Sequence, residues 1–128
     1  MTGALVSAAL AARENAFAPF SKFKVGAAIE DAEGRIHTGC NVENATYGLT
    51  VCAERVALYK AISEGVRRFR RIAVAAGADA LTPPCGACRQ ILWEFCGDIE
   101  IVLANPQGKT ETWHLKELFP KPFDVSYL

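Results

Sequence analysis

Three cysteines and one glutamate hold most of the chemistry in this chain: Cys52-Ala53-Glu54 near its middle and, further on, Pro84-Cys85-Gly86-Ala87-Cys88. Thiolate sulfur is a soft donor that suits zinc. Structural zinc closes its tetrahedron with four protein ligands, whereas catalytic zinc keeps three and leaves a position for water. Three cysteines with an acid two residues past the first therefore point to a catalytic centre. Cys52, Cys85 and Cys88 would hold one Zn²⁺ per subunit, and Glu54 would carry protons to and from an activated water. The expectation is an enzyme.

Two distant segments must meet to build such a site, and the flanking sequence says how. Residues 52–64 read as a helix ended by Gly65, and residues 85–95 as a second helix, with Pro83-Pro84 at its start and Gly97 beyond its end. Each cysteine segment thus falls at a helix N-terminus, where free N–H groups and the helix dipole favour the thiolate. Three thiolates overcompensate one divalent cation, so nearby donors are expected to soften them. Arg55 and Gln90 are placed to hydrogen-bond the sulfurs, although a surface Arg and a helix-face Gln would look the same in sequence.

Around these helices the order is α-β-β-α-β-α-β-β. Residues 2–15 form a first helix with Leu5, Ala8, Ala9 and Ala12 at three-and-four spacing. Strands are expected over 23–29 and 35–42, joined by a tight turn at Asp31-Ala32-Glu33-Gly34, then over 71–76, 99–103 and 110–114. A short helical turn at 116–119 precedes the tail. Phe23 reads from the pattern as a core strand residue. The connection Ala104-Asn105-Pro106-Gln107-Gly108-Lys109 is too short for a parallel crossover, so the last two strands should be antiparallel neighbours. Residues 1–128 are expected to form one α/β domain.

Other readings of the cysteines stay open at this level. Cys85-x-x-Cys88 alone fits a redox pair, but that leaves Cys52 and Glu54 unused. A closed four-ligand site would recruit Cys40, Cys96 or His114, yet no second ligand pair at finger spacing exists. Cys40 and Cys96 read as small buried hydrophobes, and His37 and His114 as structural.

Composition narrows the partners. The chain carries 14 basic and 14 acidic residues, which argues against nucleic acid despite the run Arg67-Arg68-Phe69-Arg70-Arg71. No apolar run reaches membrane-spanning length, and the apolar stretch 4–12 lacks a basic leader. Five cysteines, an odd number, do not suit a disulfide scaffold, and a thiolate site needs reduced sulfur; a cytoplasmic location is expected.

Beyond the cysteine motifs, Pro19-Phe20-Ser21-Lys22-Phe23, Gly39-Cys40-Asn41-Val42-Glu43-Asn44-Ala45, Cys52-Ala53-Glu54-Arg55 and Pro84-Cys85-Gly86-Ala87-Cys88-Arg89-Gln90 together resemble the zinc-dependent cytidine and deoxycytidine deaminases of the small homotetrameric type. The resemblance implies a three-layer α-β-α sandwich with a mixed five-stranded sheet. It also implies hydrolytic deamination of cytidine and 2′-deoxycytidine in pyrimidine salvage, with Glu54 moving protons to N3 and the leaving amine. Asn41 and Glu43 would grip sugar hydroxyls, Phe23 would pack on the ring or sugar, and the Ala53 N–H would hold the pyrimidine carbonyl. Tyr47 and Phe123 would reach into a neighbouring subunit's site, with burial inside one protomer as the competing view. The chain departs from the usual pattern at Val56, where Thr is common, and Pro122 bears on the reach of Phe123. Blasticidin S, another aminopyrimidine nucleoside, is the alternative substrate, and Glu43 argues against it. A polynucleotide deaminase and a non-catalytic zinc scaffold are the more distant readings.

Overall fold

The computed structural model describes residues 2–128. Helix α1 (Gly3–Arg13) leads through a loop to the antiparallel strands β1 (Val25–Asp31) and β2 (Ile36–Cys40). A single 3-10 turn at Tyr47–Leu49 precedes α2 (Ala53–Ser63), β3 (Phe69–Ala76), α3 (Gly86–Cys96), β4 (Glu100–Ala104) and β5 (Thr110–His114). The short α4 (Leu115–Leu118) and a 3-10 turn at Val125–Tyr127 end the chain. No helix among the described residues is long and apolar enough to cross a membrane.

The sheet order is β2-β1-β3-β4-β5, with only β3 and β4 parallel. The β4–β5 pair is antiparallel, as the short connection requires. Side chains alternate between two faces. Ala28, Ala73, Ala75 and Val102 meet Leu5 and Ala9 of α1 on one face. Ala27, Ile29, Ile72, Val74, Ile101 and Leu103 meet Ala57, Leu58, Ala61 and Leu92 of α2 and α3 on the other. The result is the expected three-layer sandwich, helix on mixed sheet on helices.

Small residues let these layers close. A Cβ added at Gly39 would run into the Ala57 backbone nitrogen and the Ala53 carbonyl, so α2 lies directly on β2. Gly26 plays the same part beneath α1, against the Ala9 carbonyl.

The topology also delivers the cysteines. Strands β2, β3 and β4 run in one direction because β1, between β2 and β3, opposes both. Helix α2 follows β2 and α3 follows β3, so both helices start at the same edge of the sheet. Clefts beyond the carboxyl ends of strands are where α/β folds place ligands.

Strand boundaries differ from the sequence expectation by about two residues at several ends, with β2 stopping at Cys40 and β3 starting at Phe69, and one shift bears on the site. Strand β1 begins at Val25, and Phe23 lies ahead of it, partly exposed rather than in the core. The cause is a turn: Lys22 takes a left-handed conformation (φ 61°), which no strand residue adopts.

Candidate active site

Cys52 and Cys85 are the N-cap residues of α2 and α3, both in extended conformation, and Cys88 lies in the first turn of α3. The three sulfurs lie within 4.8 Å of one another. Neither N-cap side chain satisfies its own helix, so both sulfurs are turned outward. Cys88 is fully buried and Cys85 exposed, which sets the trio at the boundary between core and cleft.

The electrostatics of the trio call for a cation. Cys52 Sγ lies 3.9 Å from Cys85 Sγ, and the neighbouring Cys88 thiol, with Arg55 assisting, lowers Cys52 to about 5, while the same pairing and burial push Cys88 up. Three sulfurs this close cannot all ionise unless something positive joins them. Arg55 supplies part of that charge: its Nη2 donates to Cys52 Sγ at 3.3 Å. A soft donor set of three thiols converging from two helix starts fits zinc with one ligand position left over. Cys40, Cys96 and His114 do not belong to the cluster, which contains Cys52, Cys85 and Cys88 alone.

Glu54 stands beside the sulfurs on the first turn of α2. It is 5 % exposed. Burial pushes its carboxyl up to about 7, with the neighbouring Cys52 charge adding to the effect and Arg55 opposing it.

A cleft of about 240 Å³ opens from this corner and is lined by Phe23, Asn41, Glu43, Cys52, Ala53 and Glu54, among others. Its far end is built from the loop before β1. Glu43 Oε1 accepts from the Phe20 and Ser21 N–H groups at 3.0 and 3.1 Å, and Oε2 accepts from the Ser21 hydroxyl. These donors, Ser21 first, hold the Glu43 carboxyl below its ordinary range. Asn41 is also committed: its Oδ1 accepts from Val25 N at 2.9 Å and its Nδ2 donates to Phe23 O at 2.8 Å. Ala53 is fully buried, and its N–H belongs to the helix turn that has no intrahelical acceptor.

The structure thus brings Phe23, Asn41, Glu43, Ala53, Glu54, Cys52 and Cys85 to one cleft, with Cys88 buried beside the other two sulfurs. It does not bring Tyr47 or Phe123 there within one chain. Tyr47 is 76 % exposed and sits edge-on to Phe20, with ring centroids 6.2 Å apart, in an adjoining hollow that shares Ser21, Glu43 and Thr50 with the cleft. Phe123 is 57 % exposed and stacks on Tyr127 at 5.8 Å. Burial within one protomer, the competing view for both residues, does not occur. Gln90 corrects the expectation of a sulfur contact, because its Nε2 donates to the Phe123 carbonyl at 2.8 Å and ties the tail to α3.

Two features were not read from the sequence. Ser21, in the quoted Pro19–Phe23 motif, had no role, yet it holds Glu43; nothing local in the sequence pairs residues so far apart. Thr82 and Pro83 also line the cleft, ahead of Cys85.

Comparison with known proteins agrees with this geometry. Residues 2–104 match the cytidine and deoxycytidylate deaminase zinc-binding region. A cytidine deaminase of Sporosarcina psychrophila is 46 % identical over 127 residues, covering 96 % of this chain and 93 % of that protein. One from Halalkalibacterium halodurans is 48 % identical over 120 residues, 93 % of this chain and 91 % of that protein. The crystal structure of cytidine deaminase from Burkholderia pseudomallei superposes with a TM-score of 0.93 at 47 % identity, over 96 % of this chain and 99 % of that one. A blasticidin-S deaminase from Bacillus cereus is more distant, at 31 % over 108 residues, 78 % of this chain and 76 % of that protein. Motif, sheet order and sulfur cluster therefore agree with the matches along most of the sequence, and the chain belongs to the cytidine and deoxycytidylate deaminase family of zinc-binding proteins.

Proposed function

We propose that this chain hydrolyses cytidine and 2′-deoxycytidine to uridine and 2′-deoxyuridine, releasing ammonia. The observation that carries the proposal is the buried carboxyl of Glu54 beside three converging sulfurs at the closed end of the cleft. Cys52, Cys85 and Cys88 would hold zinc, which when bound supplies the Lewis acidity that activates a water molecule for attack on C4.

The remaining steps fall to the chain. Glu54 accepts a proton from the attacking water and passes it to N3. The C4 hydroxyl proton then travels through the same carboxylate to the exocyclic amine, the C4–N bond breaks, and ammonia leaves. One acid serves both transfers because burial beside a hydrolytic centre shields it from competing water. Arg55 offsets the excess negative charge of the sulfurs through its contact with Cys52. The Ala53 N–H holds the pyrimidine carbonyl, Glu43 accepts from the sugar, Asn41 shapes the cleft floor through Phe23 and Val25, and Phe23 covers the nucleoside.

The assembly belongs to the same reading. Tyr47 and Phe123 are exposed and lie off their own cleft, as are Leu49, Val125 and Tyr127 nearby in sequence. Tyr47 packs on Phe20 and Phe123 stacks on Tyr127, so these exposed aromatics are clustered, as interface residues are. A homotetramer in which Tyr47 and Phe123 complete a neighbour's site accounts for them, and residues 1–128 act as its single catalytic unit. Five free cysteines support a reducing, cytoplasmic setting, and the reaction belongs to pyrimidine salvage. Neutral net charge and the lower identity to a blasticidin-S deaminase leave free pyrimidine nucleosides as the favoured substrates.

The direct test is loss of cytidine ultraviolet absorbance together with ammonia release, using protein with one zinc per chain. Turnover of both nucleosides is expected. A fully zinc-loaded protein that leaves cytidine and deoxycytidine untouched would overturn the proposal.

A further inference from the structure

The loop ahead of β1 is built around the Glu43 carboxylate. Phe17 N donates to Asn41 O, and Glu43 N donates to Phe17 O, which lays the loop alongside the Asn41–Glu43 segment. The chain then turns, with Lys22 N donating to Ala18 O, so that Phe20 N and Ser21 N both reach Glu43 Oε1, and the left-handed Lys22 leads on toward β1. The Ser21 hydroxyl donates to Oε2 and at the same time accepts from Phe23 N at 3.0 Å.

Each of these contacts has a different consequence. A hydroxyl has one proton, and the Phe23 N–H takes one of its acceptor positions, so the Ser21 proton is committed to Glu43. An ionised carboxylate offers about four acceptor positions, and three donors fill all but about one. The two main-chain donors fix Oε1 only. Rotation about the terminal torsion of a glutamate is soft, so Oε2 stays in place because Ser21 holds it.

We propose that Ser21 is a positioning residue for substrate recognition: its hydroxyl fixes Glu43 Oε2 so that the carboxylate presents one remaining acceptor position to a single sugar hydroxyl of the nucleoside. This rests on the reading that Glu43 grips the sugar. It also accounts for acceptance of both ribose and deoxyribose, since one shared hydroxyl suffices. The same donors keep Glu43 ionised, and therefore acceptor-only.

The test compares Ser21→Ala, Ser21→Thr and Glu43→Ala on cytidine and on 2′,3′-dideoxycytidine, with zinc content matched. Ser21→Ala should raise KM for cytidine about tenfold, the scale of one hydrogen bond to a charged group, with kcat nearly unchanged. Its kcat/KM for the dideoxynucleoside should stay at the parent value, and Ser21→Thr, which keeps the hydroxyl, should restore cytidine KM. Should Ser21→Ala not accumulate as folded protein, Ser21→Cys fills the site with a slightly larger side chain, weakens the donor and should give the same selective KM rise. Equal losses on both nucleosides, an unchanged cytidine KM, or failure of Ser21→Thr to rescue would overturn the assignment. The Glu43→Ala arm separates the two failures. If it is selective for the hydroxyl-bearing substrate while Ser21→Ala is not, only the role of Ser21 falls. If it too affects both substrates alike, the sugar grip falls and the role of Ser21 with it.

Discussion

The two ends of the cleft each carry a glutamate, and the two carboxyls are driven in opposite directions. At the sulfur end Glu54 is buried beside a negative neighbour, and its carboxyl rises to about 7. At the loop end Glu43 is wrapped by three donors and falls below its ordinary value. The first can give and take a proton near neutrality; the second can only accept hydrogen bonds. Paired carboxyls with divergent environments are how one site separates proton transfer from binding.

A third carboxyl shows which variable matters. Asp31 is covered from solvent by its own turn but lies close to the surface, and it is lowered to about 2. His37 Nε2 lies 2.9 Å from Oδ2, the Glu33 and Arg35 N–H groups donate to Oδ1 at 2.9 Å each, and Arg35 Nε adds a contact at 3.1 Å. Donor count lowers Asp31 and deep burial raises Glu54, and together they separate the two kinds of acid.

The strongest attack on this contrast is Glu54→Gln. Turnover of cytidine should fall by about three orders of magnitude, within the range of general acid–base contributions, while zinc stoichiometry by metal analysis stays at the parent value. Loss of zinc together with activity would show that Glu54 serves the cluster instead of the proton. Next in size is Glu43→Ala, which should raise cytidine KM by about tenfold or more through loss of a charged hydrogen bond, leaving turnover of free cytosine unaltered.

A sharper division comes from Gly39→Ala. The added methyl pushes on α2 at Ala53 and Ala57, so it should cost about 1–3 kcal/mol in thermal or denaturant unfolding, as overpacking does. Because the methyl presses on the first two turns of α2, which carry Glu54, kcat should drop more than KM rises. The reverse split would mean that the two ends are mechanically joined.

The smallest effect is read in acid. The Asp31 carboxyl is lowered in the folded chain from 3.8 to about 2, so the unfolded state binds the proton more readily. Its stabilising contribution is complete above pH 3.8 and is lost as pH falls through about 2. Thermal unfolding of the parent relative to Asp31→Asn should therefore show a stability advantage that shrinks across that window. A constant difference between the two would remove donor count as the explanation.

Much of this was legible in the sequence because it is local. Helix starts at Cys52 and Cys85 and the antiparallel β4–β5 pair both follow from neighbouring residues. The turn at Asp31 was legible too, although its link to His37, read only as structural, was not. What sequence did not give depends on contacts between distant segments. The left-handed Lys22 takes Phe23 out of β1, the Ser21 hydroxyl reaches Glu43 across the loop, and the Gln90 amide finds the tail carbonyl of Phe123 instead of a sulfur. A polar side chain on a helix face has many partners within reach, and only the tertiary fold selects one.

The bare backbone contact between β2 and α2 has a further consequence for how such a protein can change. With no side chain between strand and helix at Gly39, there is no adjustable shim there, and any larger residue would have to displace main chain. The start of α2, with Glu54 on it, is thereby referenced to the sheet by backbone contact. The loop that carries Ser21 is instead held to Glu43 through hydrogen bonds, so side-chain changes there can remodel that end of the cleft while the sulfur end keeps its frame.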